Sequence, residues 1–372
     1  MPTTSLDRTP NAPPLHVQVA QILRENILSG AWKEGDSIPP EKALCAEFNI
    51  ARGTLRQALQ TLEAEGYLRR AQGRGTFIKL PSEARAPDRD RLRQMAFVVP
   101  YVRDSSVLDI LMGFQSVAEA AGYSVVFNHV NNDKRQQDQV LEMLAGKGIA
   151  GIALYPIDSD HVGVIADLVR NRYPLVLVDR YLKMLPTDYI ITDHFGGALR
   201  GTHYILSQGH TRVGFVTWLS PAVSMEHRYL GYAQALRERG LPLEDSLICH
   251  VEGYPTVDLT PLKAYLMSDT RPTAIFAAND QIAVALYRAA GALGLSIPGD
   301  IAVVGFDNLD IAAGLEPPLT TVAQPFTTLG VQAANLLLRR ISGEAGGFAQ
   351  VALPTELIVR SSCSVPALVS VV

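Results

Sequence analysis

Five short apolar runs in this 372-residue chain lead into polar side chains. Leu175–Val178 runs into Asp179-Arg180, Ala274–Ala278 into Asn279-Asp280, and Val303–Phe306 into Asp307-Asn308. Gln324 follows Thr320-Thr321-Val322, and Arg228 sits on a helical segment after Val213–Thr217. Carboxylates, amides and guanidiniums spaced this way accept from and donate to vicinal hydroxyls. Aromatic faces such as Trp218 and Tyr254 can cover the apolar side of a ring. The chemistry implied is reversible binding of a small polyhydroxylated molecule. A single Asp or Asn after a strand is commonly just a helix cap, but five strand ends in one register favour a site.

Other chemistries lack their residues. His194, His203 and His210 do not share a metal-ligand spacing, and structural roles are the better reading for them. No Gly-x-Gly-x-x-Gly follows a strand and no Gly-Lys-Ser/Thr loop is present, which argues against nucleotide chemistry. No Gly-x-Ser-x-Gly elbow supports a hydrolase. Lysine is scarce after residue 95 (Lys134, Lys147, Lys183 and Lys263), and none sits where a Schiff base would form. Neither a cofactor nor an enzymatic activity is expected. Cys45, Cys249 and Cys363 are odd in number and scattered, as free thiols in a reducing cytoplasm would be.

A second set of candidates lies near the start. Arg52–Glu65 reads as a helix that buries Leu55, Leu59 and Leu62 and presents Arg52, Thr54, Arg56 and Gln60. The short helix Glu41–Phe48 precedes it across the turn Asn49-Ile50-Ala51, making a helix-turn-helix whose second helix would enter a DNA major groove N-terminus first. Tyr67–Arg70 and Thr76–Ile78 read as strands of a hairpin turned by Gln72-Gly73-Arg74-Gly75. Its arginine tip suits the minor groove, where negative potential is strongest. Charge is distributed accordingly. Residues 1–95 hold 14 Lys/Arg against 11 Asp/Glu, and the remainder holds 19 against 26. That is a mildly basic head on an acidic body.

The elements that must position these groups follow from the apolar pattern. His16–Ser29 is an amphipathic helix stopped by Gly30, and Gly35–Pro39 is a turn with Pro40 opening the next helix. Residues 81–94 are polar and flanked by proline, which is linker composition and transmits little torque. From Met95 onward, short buried-strand runs alternate with helical segments, the pattern of parallel sheets with crossover helices. No apolar run reaches the length of a membrane span, and the N-terminus lacks a secretory signal.

From Pro14 to Ile78 the chain resembles the GntR-family winged helix. The resemblance rests on Ile27-Leu28-Ser29-Gly30, Gly35-Asp36-Ser37-Ile38-Pro39, Arg52-Gly53-Thr54-Leu55-Arg56-Gln57-Ala58-Leu59 and the wing Gly73-Arg74-Gly75-Thr76. It implies operator contacts from Lys42, Arg52, Thr54, Arg56 and the wing residues Gln72, Gly73, Arg74 and Gly75. Pro40 stands where that family commonly has a serine. Residues 95–361 resemble the effector domain of the LacI/GalR family, which has the periplasmic sugar-binding-protein fold. This rests on Leu177-Val178-Asp179-Arg180, Gly209-His210-Thr211-Arg212-Val213-Gly214-Phe215, Arg228-Tyr229-Leu230-Gly231-Tyr232, Ala277-Ala278-Asn279-Asp280, Ile297–Asn308 and Pro318–Val322. It implies effector contacts from Asp179, Arg228, Asn279, Asp307 and Gln324, with Ser105 or Ser106 contributing from the other lobe. Arg180, Trp218, Tyr254 and Asp280 complete the candidate set. That family's own DNA head and hinge helix are absent, and a GntR head on a LacI-type body resembles regulators of the arabinose-repressor type.

The expected architecture is α/β: a disordered start (1–14), a winged helix-turn-helix (15–80), a linker (81–94), a two-lobed Rossmann-like effector domain (95–361) and a tail (362–372). The chain should cross between the lobes near residues 193, 321 and 348. Expected partners are double-stranded operator DNA, a small sugar (a pentose or a relative) and a second copy of the chain in a homodimer, with no membrane. The expected function is a cytoplasmic transcriptional repressor. A solute-binding receptor for sugar transport is the alternative.

Overall fold

The computed structural model describes residues 6–9, 12–28, 31–33, 35–71, 75–79, 93–102, 104–220, 222–252 and 257–364. By internal packing the chain divides into two units, Met1–Arg91 and Leu92–Val372. In the first, apolar residues at helical spacing bring three helices together: α1 (Leu15–Leu28), α2 (Glu41–Phe48) and α3 (Arg52–Ala64). Val19, Leu23, Ile27, Leu44, Leu55, Leu59 and Leu62 form their common core. Pro40 is the residue before α2, extended and without a side-chain cap, and not the first helical residue. Asn49 ends α2 in the left-handed conformation (φ 49°), which Asn tolerates better than most residues, and so turns the chain toward α3. The antiparallel hairpin β1 (Leu68–Ala71) and β2 (Gly75–Ile78) follows. The segment expected as a plain turn adds to its edge, since Ile38 N–H donates to the Thr76 carbonyl and Ser37 bridges Phe77.

Residues 6–9, expected to be disordered, are held on this unit. Gln18 Nε2 donates to the carbonyls of Asp7 (2.8 Å) and Pro13 (2.7 Å), and Arg8 donates to the Asn49 carbonyl at 2.7 Å. Leu6 packs against the core.

The second unit has two six-stranded sheets. The first has the order β13-β7-β6-β5-β3-β4 and is entirely parallel. Its strands are β3 (Arg93–Val99), β4 (Tyr123–His129), β5 (Gly151–Leu154), β6 (Leu175–Val178), β7 (Asp188–Thr192) and β13 (Gln350–Leu353). The second has the order β14-β12-β11-β10-β8-β9, parallel except for the antiparallel edge strand β14. Its strands are β8 (Val213–Trp218), β9 (Ile248–Val251), β10 (Ala274–Ala277), β11 (Ala302–Asp307), β12 (Thr320–Ala323) and β14 (Glu356–Ile358). Strands β5, β6 and β10 are buried at every position, as a parallel strand covered on both faces must be.

The helices between them are α4 (Ser105–Ala120), α5 (Lys134–Gly146), α6 (Gly163–Arg170), α7 (His194–Ser207), α8 (Val223–Glu238), α9 (Leu259–Met267), α10 (Asp280–Ala292), α11 (Asp310–Gly314) and α12 (Phe326–Ile341). Three boundaries differ from the sequence reading. Arg93 and Gln94 belong to β3 and not to a linker. Ser362 and Cys363 are core, not tail: Ser362 Oγ donates to the Val303 carbonyl and accepts from Thr320 N–H. The third passage between lobes lies after Leu353, because β13 pairs with β7 in the first lobe before β14 pairs in the second. The passage expected near 348 is therefore displaced by the parallel strand Gln350–Leu353.

The second passage delivers α12 back onto α4, and glycine makes that contact possible. A Cβ on Gly330 would overlap the Ile110 carbonyl and lie 2.7 Å from the Phe114 nitrogen, and one on Gly113 would overlap the Thr327 carbonyl. Backbone cannot retreat as a side-chain tip can. We expect Gly330→Ala to lower the unfolding free energy of the second unit by about 1–3 kcal/mol in urea denaturation, the usual cost of overpacking. Gly146→Ala, with nothing near its Cβ position, should leave the transition unchanged or raise it.

Candidate functional site

Two surfaces gather the chemistry-bearing residues, one in each unit. In the first, burying Leu55, Ala58, Leu59 and Leu62 on one side of α3 forces Arg52, Arg56, Gln57 and Gln60 outward. Lys42 on α2 is exposed, and Thr54 is half-buried. Arg56 makes a 3.3 Å ion pair with Glu41, so it spans both helices while remaining largely exposed. Gly75 is exposed at the start of β2, whereas Gln72, Gly73 and Arg74 lie outside the described residues.

In the second unit, the C-terminal ends of both sheets open on a cavity of about 650 Å³. Ser106, Asp179, Arg180, Trp218, Arg228, Asn279, Asp307 and Gln324 line it. Two of the sequence candidates do not. Ser105 begins α4, but Asp104, which caps that helix, and Ser106 face the cavity instead. Asp280 is fully buried behind the wall, accepting from Thr321 Oγ1 at 2.6 Å and Leu309 N–H at 2.8 Å. It braces two strand ends and is not a cavity group. Tyr254 lies outside the described residues.

The floor is built on paired charges. Arg228 is 3% exposed. Its Nη1 donates to the Ala278 carbonyl at 2.6 Å, its Nη2 lies 3.1 Å from Asp307 Oδ1, and its guanidinium sits 3.9 Å above the Phe306 ring. Gln324 Nε2 donates to the same Asp307 oxygen at 2.7 Å. Arg180 pairs with Asp179 at 3.2 Å, donates to Tyr155 Oη at 2.9 Å and to the Ile157 carbonyl at 2.8 Å, and stacks over the Tyr155 ring. Asp179 and Asp307 occupy matching places at the ends of β6 and β11, and both have positive φ, 70° and 117°. Such backbone is costly for a side-chain-bearing residue and concentrates at functional positions.

His194, set aside at the sequence level as structural, joins the two charge pairs. Its Nδ1 accepts from the Arg228 guanidinium at 3.4 Å, and its Nε2 donates to the Asp179 carbonyl at 3.3 Å. Those partners require the neutral Nε2–H tautomer. Burial first, then the Arg228 charge, lowers the His194 pKa to about 3. Burial also dominates at Asp307 and raises its pKa, with Arg228 opposing and Asp104 adding to the rise. At Asp179 burial is overcome by Arg180 and His194, so its carboxyl stays below the usual value.

Sequence reasoning missed Tyr101, Asp104, Tyr155, Asn132, Lys134 and Asp158 on the first-lobe wall. Tyr155 follows β5 directly, as Asp179 follows β6, whereas the others stand two to five residues past β3, β4 or β5. Lys134 pairs with Asp158 at 2.5 Å. Beside them the lobes touch directly. Ser159 Oγ accepts the first N–H of α8, from Val223, at 2.9 Å, and Lys183 pairs with Glu226 at 2.6 Å. Helix α8 has no cap of its own, so the opposite lobe supplies one. Two polar atoms of this region, Gln324 Oε1 and Ser224 Oγ, are buried without a partner in the structure. Such atoms are uncommon in folded proteins. No cluster of potential metal ligands exists among the described residues, and no helix there is long and apolar enough to cross a membrane.

Residues 15–78 match the model for bacterial regulatory proteins of the gntR family, and residues 202–363 match a periplasmic binding protein-like domain. The arabinose metabolism transcriptional repressor of Geobacillus stearothermophilus is 31% identical over 360 residues, covering 94% of this chain and 97% of that protein. The HTH-type transcriptional repressor CytR of Escherichia coli K12 is 26% identical, covering 86% and 91%. For the fold alone, a LacI family regulator from Enterococcus faecium, solved with bound ribose, superposes with a TM-score of 0.65 at 23% identity. It covers 74% of this chain and all of that one.

His194 generates a pH prediction. Because its folded pKa lies below the unfolded 6.5, its contribution to stability is complete above pH 6.5 and is lost as pH falls toward 3. The loss should be roughly 1 kcal/mol per pH unit once the unfolded imidazole is protonated. His194→Gln should flatten this part of the stability–pH curve between pH 6.5 and 5, measured by urea denaturation. Parallel curves for the two proteins would contradict the assignment.

Proposed function

This chain belongs to the same family as the arabinose metabolism transcriptional repressor, joining a gntR-type DNA-binding head to a periplasmic-binding-protein-like body, and from that footing we propose that it is a cytoplasmic repressor released from its operator by a small sugar. The observation that carries the ligand half is the cavity floor. Two buried ion pairs hold carboxylate and guanidinium edges in place along the cavity wall. Groups fixed in this way suit vicinal hydroxyls, each of which both donates and accepts. The names of the relatives, one concerned with arabinose and another solved with ribose, support a pentose or a relative of one.

In this reading Lys42, Arg52, Thr54, Arg56 and the wing contact operator DNA, and two heads from a homodimer meet a palindromic site. Asp179, Arg228, Asn279, Asp307 and Gln324 hold the sugar. Sugar and operator then weaken each other by one common factor, typically about 5–150-fold, because linkage is reciprocal.

Arg52→Ala should weaken operator binding by about 1–3 kcal/mol if Arg52 reads a base, and leave sugar affinity unchanged. Asp307→Asn should show the reverse: operator binding retained, and a sugar response lost at concentrations that release the unmodified protein. Fluorescence anisotropy with labelled operator, and calorimetry with the sugar, separate the two. Sugar affinity indifferent to saturating operator would rule out allosteric repression.

A further inference from the structure

Residues 6–9 lie before the stretch that matches the gntR model, which begins at residue 15, yet they are fastened to the head at three points. Leu6 packs against the head core. Gln18 bonds the backbone of Asp7 on both sides, donating from Nε2 to its carbonyl at 2.8 Å and accepting from its N–H at 2.9 Å. Arg8 reaches the turn between α2 and α3, where its Nη2 donates to the Asn49 carbonyl at 2.7 Å.

Fastening alone does not call for an arginine. A neutral amide bonds a carbonyl as well, and Gln18 does so twice in this same segment. The bond to Asn49 engages a single guanidinium donor and leaves the charge unanswered. Arg8 is exposed, and among the described residues no carboxylate pairs with it. By contrast, Arg24 and Arg56 of the same unit lie 2.7 Å and 3.3 Å from Glu65 and Glu41. The neighbouring Asp7 carboxylate is engaged in its own turn, accepting from Thr9 N–H at 2.9 Å.

Position gives the free charge a target. Asn49 stands three residues before Arg52, a span of at most about 11 Å of chain. A recognition helix entering a major groove about 12 Å wide N-terminus first brings the turn before it to the groove's rim, where the phosphates run. Neither Pro40 nor Ala51, which precede α2 and α3, has a side chain that could donate to a phosphate there.

Resting on the repressor reading above, we propose that residues 6–9 are a DNA-binding arm, fixed by Leu6 and Gln18, whose Arg8 holds a backbone phosphate at the rim of the major groove entered by α3.

The full-length protein would first select a duplex from a random-sequence pool. Its affinity for that labelled duplex, and for an unselected one, would then be read by fluorescence anisotropy between ~50 and ~200 mM salt. A phosphate contact carries no sequence information, so Arg8→Ala should weaken binding to both duplexes by the same factor. The slope of log affinity against log salt should become shallower by about 0.9 for each head, so that the penalty shrinks about threefold per head across that range. Arg8→Gln, which keeps a donor but removes the charge, should match Arg8→Ala, and Arg8→Lys should keep the original slope. An unchanged slope in Arg8→Ala and Arg8→Gln would overturn the inference whether or not affinity falls, since a fastening role alone releases no counterions. So would a slope that Arg8→Lys fails to keep, or a loss confined to the selected duplex, which would place Arg8 on a base. Each of these outcomes leaves the repressor reading standing. If the unmodified protein binds no duplex, that reading fails and the arm fails with it.

Discussion

A guanidinium buried against a sheet end is tolerable only when every face of it is answered, and Arg228 shows how much structure that demands. Its charge meets Asp307, one edge bonds the Ala278 carbonyl, another meets His194, and its plane lies on Phe306. Removing one partner would strand a buried charge, which typically costs several kcal/mol. The site therefore constrains the fold as much as the fold presents the site. Helix α8 must approach β10 and β11 closely enough for Arg228 to reach both, and α7 must begin where His194 can accept from it. Through His194 the same network reaches the Asp179 carbonyl in the other lobe. Asp307, Arg228, His194, Asp179 and Arg180 thus form one bonded chain across the cavity floor.

Much of the fold was legible because parallel strands buried on both faces leave an unmistakable apolar run, and the polar residue that ends such a run stands out. Asp179, Asn279 and Asp307 were readable for that reason. Asp280 has the same signature but the opposite fate. Two adjacent acidic or amide residues at a strand end cannot both face the cavity, and only the three-dimensional position of Thr321 and the Leu309 amide decides which turns inward. Tyr155 directly follows β5 and was as readable as Asp179 after β6, whereas Lys134 begins α5 beyond the turn after β4, where residue type says little about direction. His194 was read as structural; it is buried, but its two ring nitrogens join the charge pairs. The return of α12 to the first lobe was expected from the passage near residue 321, but the surface it returns to was hidden. Its sequence is an ordinary amphipathic helix, and only the close approach allowed by Gly113 and Gly330 shows that it packs on α4.

The head follows a different logic. Its core is small, and α2 and α3 both begin without a side-chain cap, after Pro40 and Ala51 respectively. Free N–H groups at helix starts are poorly satisfied by protein and well satisfied by anions. Helices α2 and α3 leave these groups without a side-chain partner. Residues 6–9 do the opposite. They tie α1 to the turn at Asn49 through Gln18 and Arg8, stiffening the junction from which α3 departs.

The bond between Ser159 and the first amide of α8 bears on time as well as on structure. Parting the lobes would uncap a helix and break the Lys183–Glu226 pair. Neither Ser159 nor Lys183 is among the residues that line the cavity. The contacts that join the lobes are therefore made by other residues than those the cavity presents. Altering Ser159 or Lys183 would thus change how readily the two lobes separate without changing the chemistry that the cavity walls present.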